Sequence, residues 1–301
     1  MLNRIVVYTF SVVSFLGATV VHGNGFMDLL VASGYEENLP RGYLDKDIQG
    51  SRFLGASLSA GKLYQPLANT SIVLSGSAGY SSYLEQHGFD YGSLEIATSL
   101  QQKFGMGAYT PRITLGVGAG REESEGLQRD RNLFRYSLGI SQRLNQALEI
   151  SAGFSREISR GTDEPAIDFS ELPYLPGITR PVDPMDYRNR TLSGSLSYTL
   201  RNGWLWSAGY RYLHGHIVSS AVPPVKELFI HAKAVALDPA YDQERLMYLM
   251  NADADMWSTS LSIPWGDDTA LDFAYQWQNF DVDDVGSYKN SQFSITLVHQ
   301  I

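Results

Sequence analysis

The sequence of 301 residues contains no cysteine, and this removes several kinds of chemistry at once. Disulfide bonds, thiolate nucleophiles and thiolate metal sites all require cysteine, so none of them operates in this chain. A protein without disulfides needs another source of rigidity outside the cytoplasm. A closed β-sheet supplies it through its continuous hydrogen-bonded ladder.

Long apolar runs are missing beyond the N-terminal segment. A helix that crosses a bilayer needs about 20 apolar residues, and no such run follows residue 23, which excludes a helical membrane protein. Residues 1–23 carry one positive charge at Arg4, an apolar stretch from Ile5 to Leu16, and small residues up to Gly23. This pattern predicts a secretory signal peptide, with a retained anchor as the alternative.

Basic residues are also in the minority. The chain has 23 Lys and Arg against 32 Asp and Glu, a net charge of −9, so we predict no nucleic-acid partner. By contrast, the 28 glycines and 18 tyrosines suit a membrane barrel, which uses glycine in its lumen and tyrosine at its two interfaces.

The segment Thr191–Gly215 reads TLSGSLSYTLRNGWLWSAGYRYLHG, two alternating runs joined by Arg201-Asn202-Gly203. One face of this hairpin is aliphatic and aromatic, and the other carries mostly serine, threonine and glycine. A sheet facing water would carry Lys and Glu on its polar face. Apolar residues towards lipid and small polar residues towards an enclosed lumen are typical of a transmembrane β-barrel.

The same alternation predicts about twelve strands, an even number as in single-chain bacterial barrels. The predicted strands are 27–35, 50–63, 71–84, 91–104, 111–122, 132–144, 148–159, 188–200, 203–214, 256–264, 269–280 and 289–301. The sequence therefore predicts an all-β fold, an antiparallel up-and-down barrel over residues 24–301.

Short and long connections alternate along the chain. Links such as 143–147, 201–203 and 265–268 are short, whereas 160–187 and 215–255 are long. Bacterial barrels have short periplasmic turns and longer outer loops, so we predict periplasmic termini and two long outer loops. Trp204, Trp206 and Trp265 beside short turns, with Trp257 and Trp277 towards the long loops, predict two aromatic belts.

Segments such as YTPRITLGVGAGRE and LFRYSLGISQRLNQALEISAGFSRE resemble a broad group of uncharacterised proteobacterial outer-membrane barrel proteins. The resemblance implies a location in the outer membrane, and it brings no catalytic or binding residues. The last strand, SQFSITLVHQI, resembles the signal read by the barrel-insertion machinery, so we expect that machinery, outer-membrane lipid and lipopolysaccharide as partners.

The alternation places a set of charged and amide side chains in the predicted lumen. They are Glu95, Arg135, Arg143, Glu149, Glu157, Arg211, Asp272, Gln276 and Gln278. These side chains would either line a polar channel or pair with one another across strands. Rows of small residues, Gly116 to Gly120 and Ser193 to Ser197, cannot fill a barrel of this width, so water or a loop must occupy its centre.

The long outer loops are the candidates for a constriction. Loop 160–187 is rich in proline, and loop 215–255 contains VKELFIHAKAVAL and YDQERLMYLMN, whose apolar residues have helical spacing. We predict that this second loop folds over or into the barrel mouth, with a mobile surface loop as the alternative.

Two further features bear on the outer rim. Eight acidic residues are predicted at the outer rim. They would bind divalent cations together with lipopolysaccharide phosphates, or attract cationic solutes. The alternative is an acidic surface in contact with solvent only. The eight residues are Glu36, Glu37, Glu122, Glu123, Glu125, Asp281, Asp283 and Asp284. His214 and His216 lie near Ser219 and Ser220, but the alternation directs both histidines towards lipid and the local sequence offers no acid to orient them.

The sequence thus favours an outer-membrane pore or selective channel for small polar solutes, with no cofactor, no metal and no chemical step. An outer-membrane lipid or surface hydrolase is one alternative. A structural or adhesive surface protein with a closed lumen is another.

Overall fold

We describe a computed structural model of the chain. It describes residues 25–126, 129–162, 183–222, 226–238, 240–241 and 245–301. The predicted signal peptide, residues 1–23, and most of the loop 160–187 lie outside the described residues.

The described residues contain thirteen strands, which form one antiparallel sheet. They are β1 (Gly25–Glu36), β2 (Ser51–Leu67), β3 (Thr70–Tyr83), β4 (Tyr91–Lys103), β5 (Arg112–Ser124), β6 (Arg131–Arg143), β7 (Leu148–Gly161), β8 (Tyr187–Thr199), β9 (Leu205–Ala221), β10 (Ala234–Leu237), β11 (Leu246–Pro264), β12 (Thr269–Val282) and β13 (Gly286–Gln300). In the described ranges a short α-helix, α1 (Lys226–His231), precedes β10, and short 3₁₀ turns occupy Asp45–Asp47 and His87–Phe89.

The sheet closes on itself. β9 pairs with β11, and β13 pairs with β1 from Asp28 with Gln300 to Glu36 with Gln292, so twelve strands form the barrel and β10 adds to the outer part of β11. The predicted twelve-stranded antiparallel barrel is confirmed. Twelve strands about 4.8 Å apart and tilted by about 40° give a backbone radius of about 12 Å.

Side chains alternate between the two faces as the sequence predicts. Val31, Leu94, Ile96, Leu192 and Trp257 are exposed on the outside, whereas their strand neighbours face the lumen. A surface of this kind is stable only against hydrocarbon, so the barrel spans a membrane through its strands. No helix in the described part of the chain is both long and apolar enough to cross a membrane.

The three longest connections all lie at one end of the barrel. The connections at that end, here named L1 to L6, are 37–50, 84–90, 125–130, 162–186, 222–245 and 283–285. The turns at the other end are residues 68–69, 104–111, 144–147, 200–204 and 265–268. Both described ends of the chain lie at the end opposite the three longest connections, which is the periplasmic end by the rule for bacterial barrels.

Gly203 shows how a turn sets the register of a hairpin. It adopts φ +84° in the turn between β8 and β9, a left-handed conformation that favours glycine. Its N–H donates to the carbonyl of Leu200, and the N–H of Leu200 donates to the carbonyl of Trp204. The predicted Arg201-Asn202-Gly203 turn therefore directs β9 back along β8.

Two strands are longer than predicted. β9 runs to Ala221 and β11 starts at Leu246, and the two remain paired up to the contact of Ala221 with Leu246. The helical prediction for residues 246–251 was wrong, and so was that for residues 234–237. Leu246 to Met250 are all buried, and a strand covered on both faces reads as a continuous apolar run instead of alternating.

Candidate functional site: the lumen and its outer mouth

The periplasmic half of the lumen is lined mainly by small side chains. Gly116, Gly118 and Gly120 lie on the lumen face of β5, opposite Ser137, Arg135 and Leu133 of β6. Serine hydroxyls join neighbouring strands here, since the Oγ atoms of Ser151 and Ser195 are 2.6 Å apart and those of Ser197 and Ser207 are 3.1 Å apart. These side chains are too short to reach the barrel axis from a backbone radius of about 12 Å.

Three of the predicted lumen residues form one ion-pair group. Arg135 donates from Nη1 to Glu95 at 2.9 Å and from Nε to Glu157 at 2.8 Å, so a strand β6 cation joins carboxylates of β4 and β7. Each of the three side chains is at least three-quarters buried. The geometry of this group fits the structural alternative, cross-strand pairing, and it also places charge on the lumen wall.

Glu149 organises a second group near the periplasmic end. It lies 3.3 Å from Arg112, which the sequence analysis did not single out, and 3.8 Å from Arg143. Arg143 is the more exposed of the two arginines. Arg112 was missed because it is the first residue of β5, where too few neighbours precede it to establish the alternation.

The remaining predicted residues lie on the lumen face of the opposite wall. Arg211 pairs in register with Met256, and Asp272 with Thr296. Gln276 and Gln278 pair with Gln292 and Asn290 and are almost fully buried, with unpartnered amide atoms in both glutamines. A role of these nine residues in conducting solutes stays a prediction.

The outer half of the lumen is filled by protein. The extended parts of β9 and β11, together with β10, form a small sheet with both faces covered. One face packs on α1 and on the lumen-facing rings of Phe280 and Tyr288, and the other packs on Met185 and Tyr187. Residues 217–221, 228–232 and 246–250 of the predicted loop 215–255 therefore pack against lumen-facing side chains, and the first and last of these segments are strands.

L1 also crosses the mouth, which the sequence analysis did not predict. The N–H of Ser220 donates to the carbonyl of Pro40, and the Ser219 hydroxyl donates to the carbonyl of Arg41 at 2.6 Å. Asp47 accepts from the N–H of Val222 at 3.0 Å. L1 starts at β1 and reaches the end of β9, four strands away around the ring, so it spans a chord of the opening.

A buried ion pair connects L5 to the far side of the mouth. Arg129 of L3 donates from Nε to Asp238 of L5 at 2.9 Å and also bonds it through Nη2. The hydroxyl of Ser220 donates to the same carboxylate, and both charged side chains are almost fully buried. Tyr241 of L5 packs on Phe89 of L2 with ring centroids 5.2 Å apart. L5 therefore reaches from β9 to strands on the opposite side of the barrel.

Arg41 occupies an unusual position in this plug. Its guanidinium lies 5.5 Å from the centre of the Phe280 ring and is almost fully buried. Among the residues that the structure describes, none provides a hydrogen-bond partner for its three side-chain nitrogens. Burial lowers the pKa of this guanidinium, and the negative charge of Glu36 opposes that shift. Guanidinium N–H groups bind anions, so Arg41 is a candidate attachment point for an anion at the mouth of the barrel.

The acidic rim is smaller than predicted. Glu36 and Glu122 belong to the lumen face and are buried, because they continue the inward alternation of β1 and β5. Glu122 pairs with Arg131 at 2.6 Å. The other six predicted acids are exposed. No group of three or more His, Asp or Glu among the described residues could hold a metal ion.

The two histidines face outwards, as predicted. His214 does have an acid neighbour, Asp253 at 2.7 Å, which β11 supplies from far away in the sequence. His216 contacts the carbonyl of Arg188 and the ammonium of Lys233. The hydroxyls of Ser219 and Ser220 bond to Arg41 and Asp238 instead, so the described geometry does not join either serine to a histidine.

No family model and no curated protein sequence matches the chain. Among solved structures, an outer-membrane channel from Pseudomonas putida F1 is similar with a TM-score of 0.57 and 8% identity, covering 94% of this chain and 97% of the other. The NanC porin is similar with a TM-score of 0.46 and 8% identity, over 90% and 98% of the two chains. The KdgM porin in complex with disordered oligogalacturonate is similar with a TM-score of 0.44 and 10% identity, covering 90% of this chain and 98% of the other.

At identities of 8 to 10%, similarity of this kind shows the fold alone. The chain has the fold of the outer-membrane β-barrels, a class that includes channels. Both the closed strand order and the apolar exterior agree with this assignment.

Proposed function

We propose that the protein is an outer-membrane channel for small polar solutes, narrowed at its outer mouth by L1 and L5. One observation carries the proposal: a lumen walled by glycine and serine at the periplasmic end meets a plug of folded loops at the outer end. A barrel with a purely structural role would not require a lumen whose side chains are too small to fill it.

The polar wall supports solutes that carry hydroxyl or charged groups. The ion-pair group of Glu95, Arg135 and Glu157 and the amides of Gln276 and Gln278 offer donors and acceptors along the path. A solute would exchange its hydration shell for these groups without a chemical step.

Planar lipid bilayers test the proposal. The full chain, refolded in detergent and shown to be compact by its heat-modifiable gel mobility, should produce discrete conductance steps in potassium chloride. Liposomes that contain the protein should also take up glucose faster than liposomes without it. Compact protein that inserts into liposomes but gives neither conductance nor uptake would refute the channel.

A further inference from the structure

Three arginines face outwards near the outer ends of β7 and β8. Arg156 lies directly opposite Arg190, and Arg188 lies one rung further out opposite Ile158. They point away from the lumen because they alternate with Glu157 and Asn189, which are buried inside the barrel. Arg190 is in register with His214 of β9, whose Nδ1 atom lies 2.7 Å from Asp253, so the positive surface is confined to β7 and β8.

These arginines have no charge partner in the described part of the chain. Other outward arginines do have one, since Arg121 lies 2.8 Å from Glu123 and Arg160 lies 3.6 Å from Asp186. Like charges directly opposite each other on a sheet are destabilising unless something neutralises them. The Nε atom of Arg156 is buried and has no hydrogen-bond partner among the described residues, so no carboxylate of those residues neutralises this guanidinium through Nε.

Their height along the barrel matches the edge of the bilayer. Arg156 and Arg190 lie about nine or ten residues from the periplasmic turns that precede β7 and follow β8. Ten residues of about 3.3 Å, tilted by about 40°, rise about 25 Å, which is the height of the apolar band of such barrels. Below them on the same face lie the apolar side chains of Phe154 and Leu192, which are paired in register.

The positive charge of this patch contrasts with the negative charge of the rest of the protein. The chain carries a net charge of −9, and the outward face of β11 and β12 carries Asp253, Asp255 and Asp281 at its outer end. The positive patch on β7 and β8 is therefore a local exception, placed where lipid headgroups begin.

We propose that Arg156, Arg188 and Arg190 bind the phosphate groups of a phosphorylated glycolipid, lipopolysaccharide, in the outer leaflet. A guanidinium binds phosphate with two parallel hydrogen bonds, and two facing arginines match the repeated negative charges of such a headgroup. The ring of Tyr136, 6.0 Å from the guanidinium carbon of Arg156, supports that side chain at the interface. A soluble anion is disfavoured because lipid chains cover the surface directly below.

The test measures how far the lipid stabilises the barrel. The full chain is refolded in detergent, and the temperature at which it loses its compact gel mobility is followed during a titration with purified lipopolysaccharide. The same titration is run with dephosphorylated lipopolysaccharide and with inorganic phosphate. The variant is Arg156→Gln with Arg190→Gln. The matched control, Arg52→Gln with Arg121→Gln, removes two outward arginines that have carboxylate partners.

We expect the variant to bind lipopolysaccharide about 10-fold or more weakly, from the loss of charged hydrogen bonds, while the control binds like the unaltered chain. Dephosphorylated lipid should bind as weakly as the variant does, and inorganic phosphate should not stabilise the barrel. Equal affinity of variant and control would overturn the proposal. The proposal would also be overturned if dephosphorylated lipopolysaccharide stabilised the barrel as much as the phosphorylated lipid does. Stabilisation by inorganic phosphate would likewise overturn it and identify a site for soluble anions. Only protein that is compact before heating is compared.

Discussion

Replacing Asp238 with Asn should release L5 from the mouth of the barrel. The carboxylate of Asp238 is fully buried and bonds both Arg129 and the hydroxyl of Ser220. The substitution keeps the shape of the side chain but leaves the guanidinium of Arg129 buried without its counter-ion. Removing one partner of a buried ion pair costs about 3 to 5 kcal/mol. This energy is not reduced by solvent screening here, because both side chains are almost fully buried.

An energy of this size changes the fraction of molecules in which L5 is open. At about 1.4 kcal/mol for each factor of ten, the ratio of open to closed molecules should rise roughly 100- to 5,000-fold. Trypsin reports on this ratio because Lys233 lies within L5, between α1 and β10. When opening is faster than cleavage, the cleavage rate follows the open fraction.

The control for this measurement is Asp281→Asn, which makes the same chemical change at an exposed position on β12. We expect its cleavage rate to stay within about twofold of that of the unaltered chain, since an exposed charge contributes little. The reasoning about the buried pair fails if Asp238→Asn is cleaved no faster than this control.

Three further substitutions test other parts of the account. Arg135→Met should lower the free energy of unfolding by about 2 to 3 kcal/mol in a urea titration, because it leaves two carboxylates without their partner. Additional neutralisation of Glu95 and Glu157 should restore most of the lost stability. If stability is not restored, the ion pairing is contradicted. Arg41→Gln should shift the reversal potential in a salt gradient towards cation selectivity, whereas an unchanged potential would remove Arg41 from the solute path. Gly203→Ala should destabilise the barrel by about 1 kcal/mol because of its φ of +84°, and a neutral result in the same titration would show that the turn adapts.

Alternation made the barrel predictable. Where one face of a strand contacts lipid and the other faces a water-filled lumen, as in β8 from Thr191 to Thr199, apolar and polar residues alternate. This alternation predicts the strand from the sequence alone. Strand ends agree with the prediction to within a few residues for most of the barrel, because lipid contact ends where the strand leaves the bilayer.

The plug was only partly predictable, for the same physical reason. Residues 217–221 and 246–250 are strands with both faces covered, so their sequence loses its period of two. The run LMYLM in β11 then satisfies helical spacing as well as strand spacing. Alternation gives no information about a segment that lies above the membrane and inside the protein.

Contacts across the mouth could not be predicted from local patterns at all. Arg129 and Asp238 are far apart in sequence, as are Arg41 and Ser219, and each pair depends on the closure of the whole sheet. The nine predicted lumen residues share the inward parity of their strands, but the sequence could not indicate their partners, since a partner on another strand depends on register. His214 illustrates this, because its acid neighbour Asp253 comes from β11.

The central claim is that folded loops narrow a lumen that is otherwise open, and single-channel conductance tests it most directly. Ala221 and Leu246 are paired in register, so residues 222–245 can be replaced by Asn-Gly, a two-residue turn that closes a hairpin. The account predicts a clearly larger conductance step for this variant than for the unaltered chain, and a still larger one when 37–50 is replaced in the same way between the paired residues Glu36 and Ser51. Steps of unchanged size in both compact variants would contradict it.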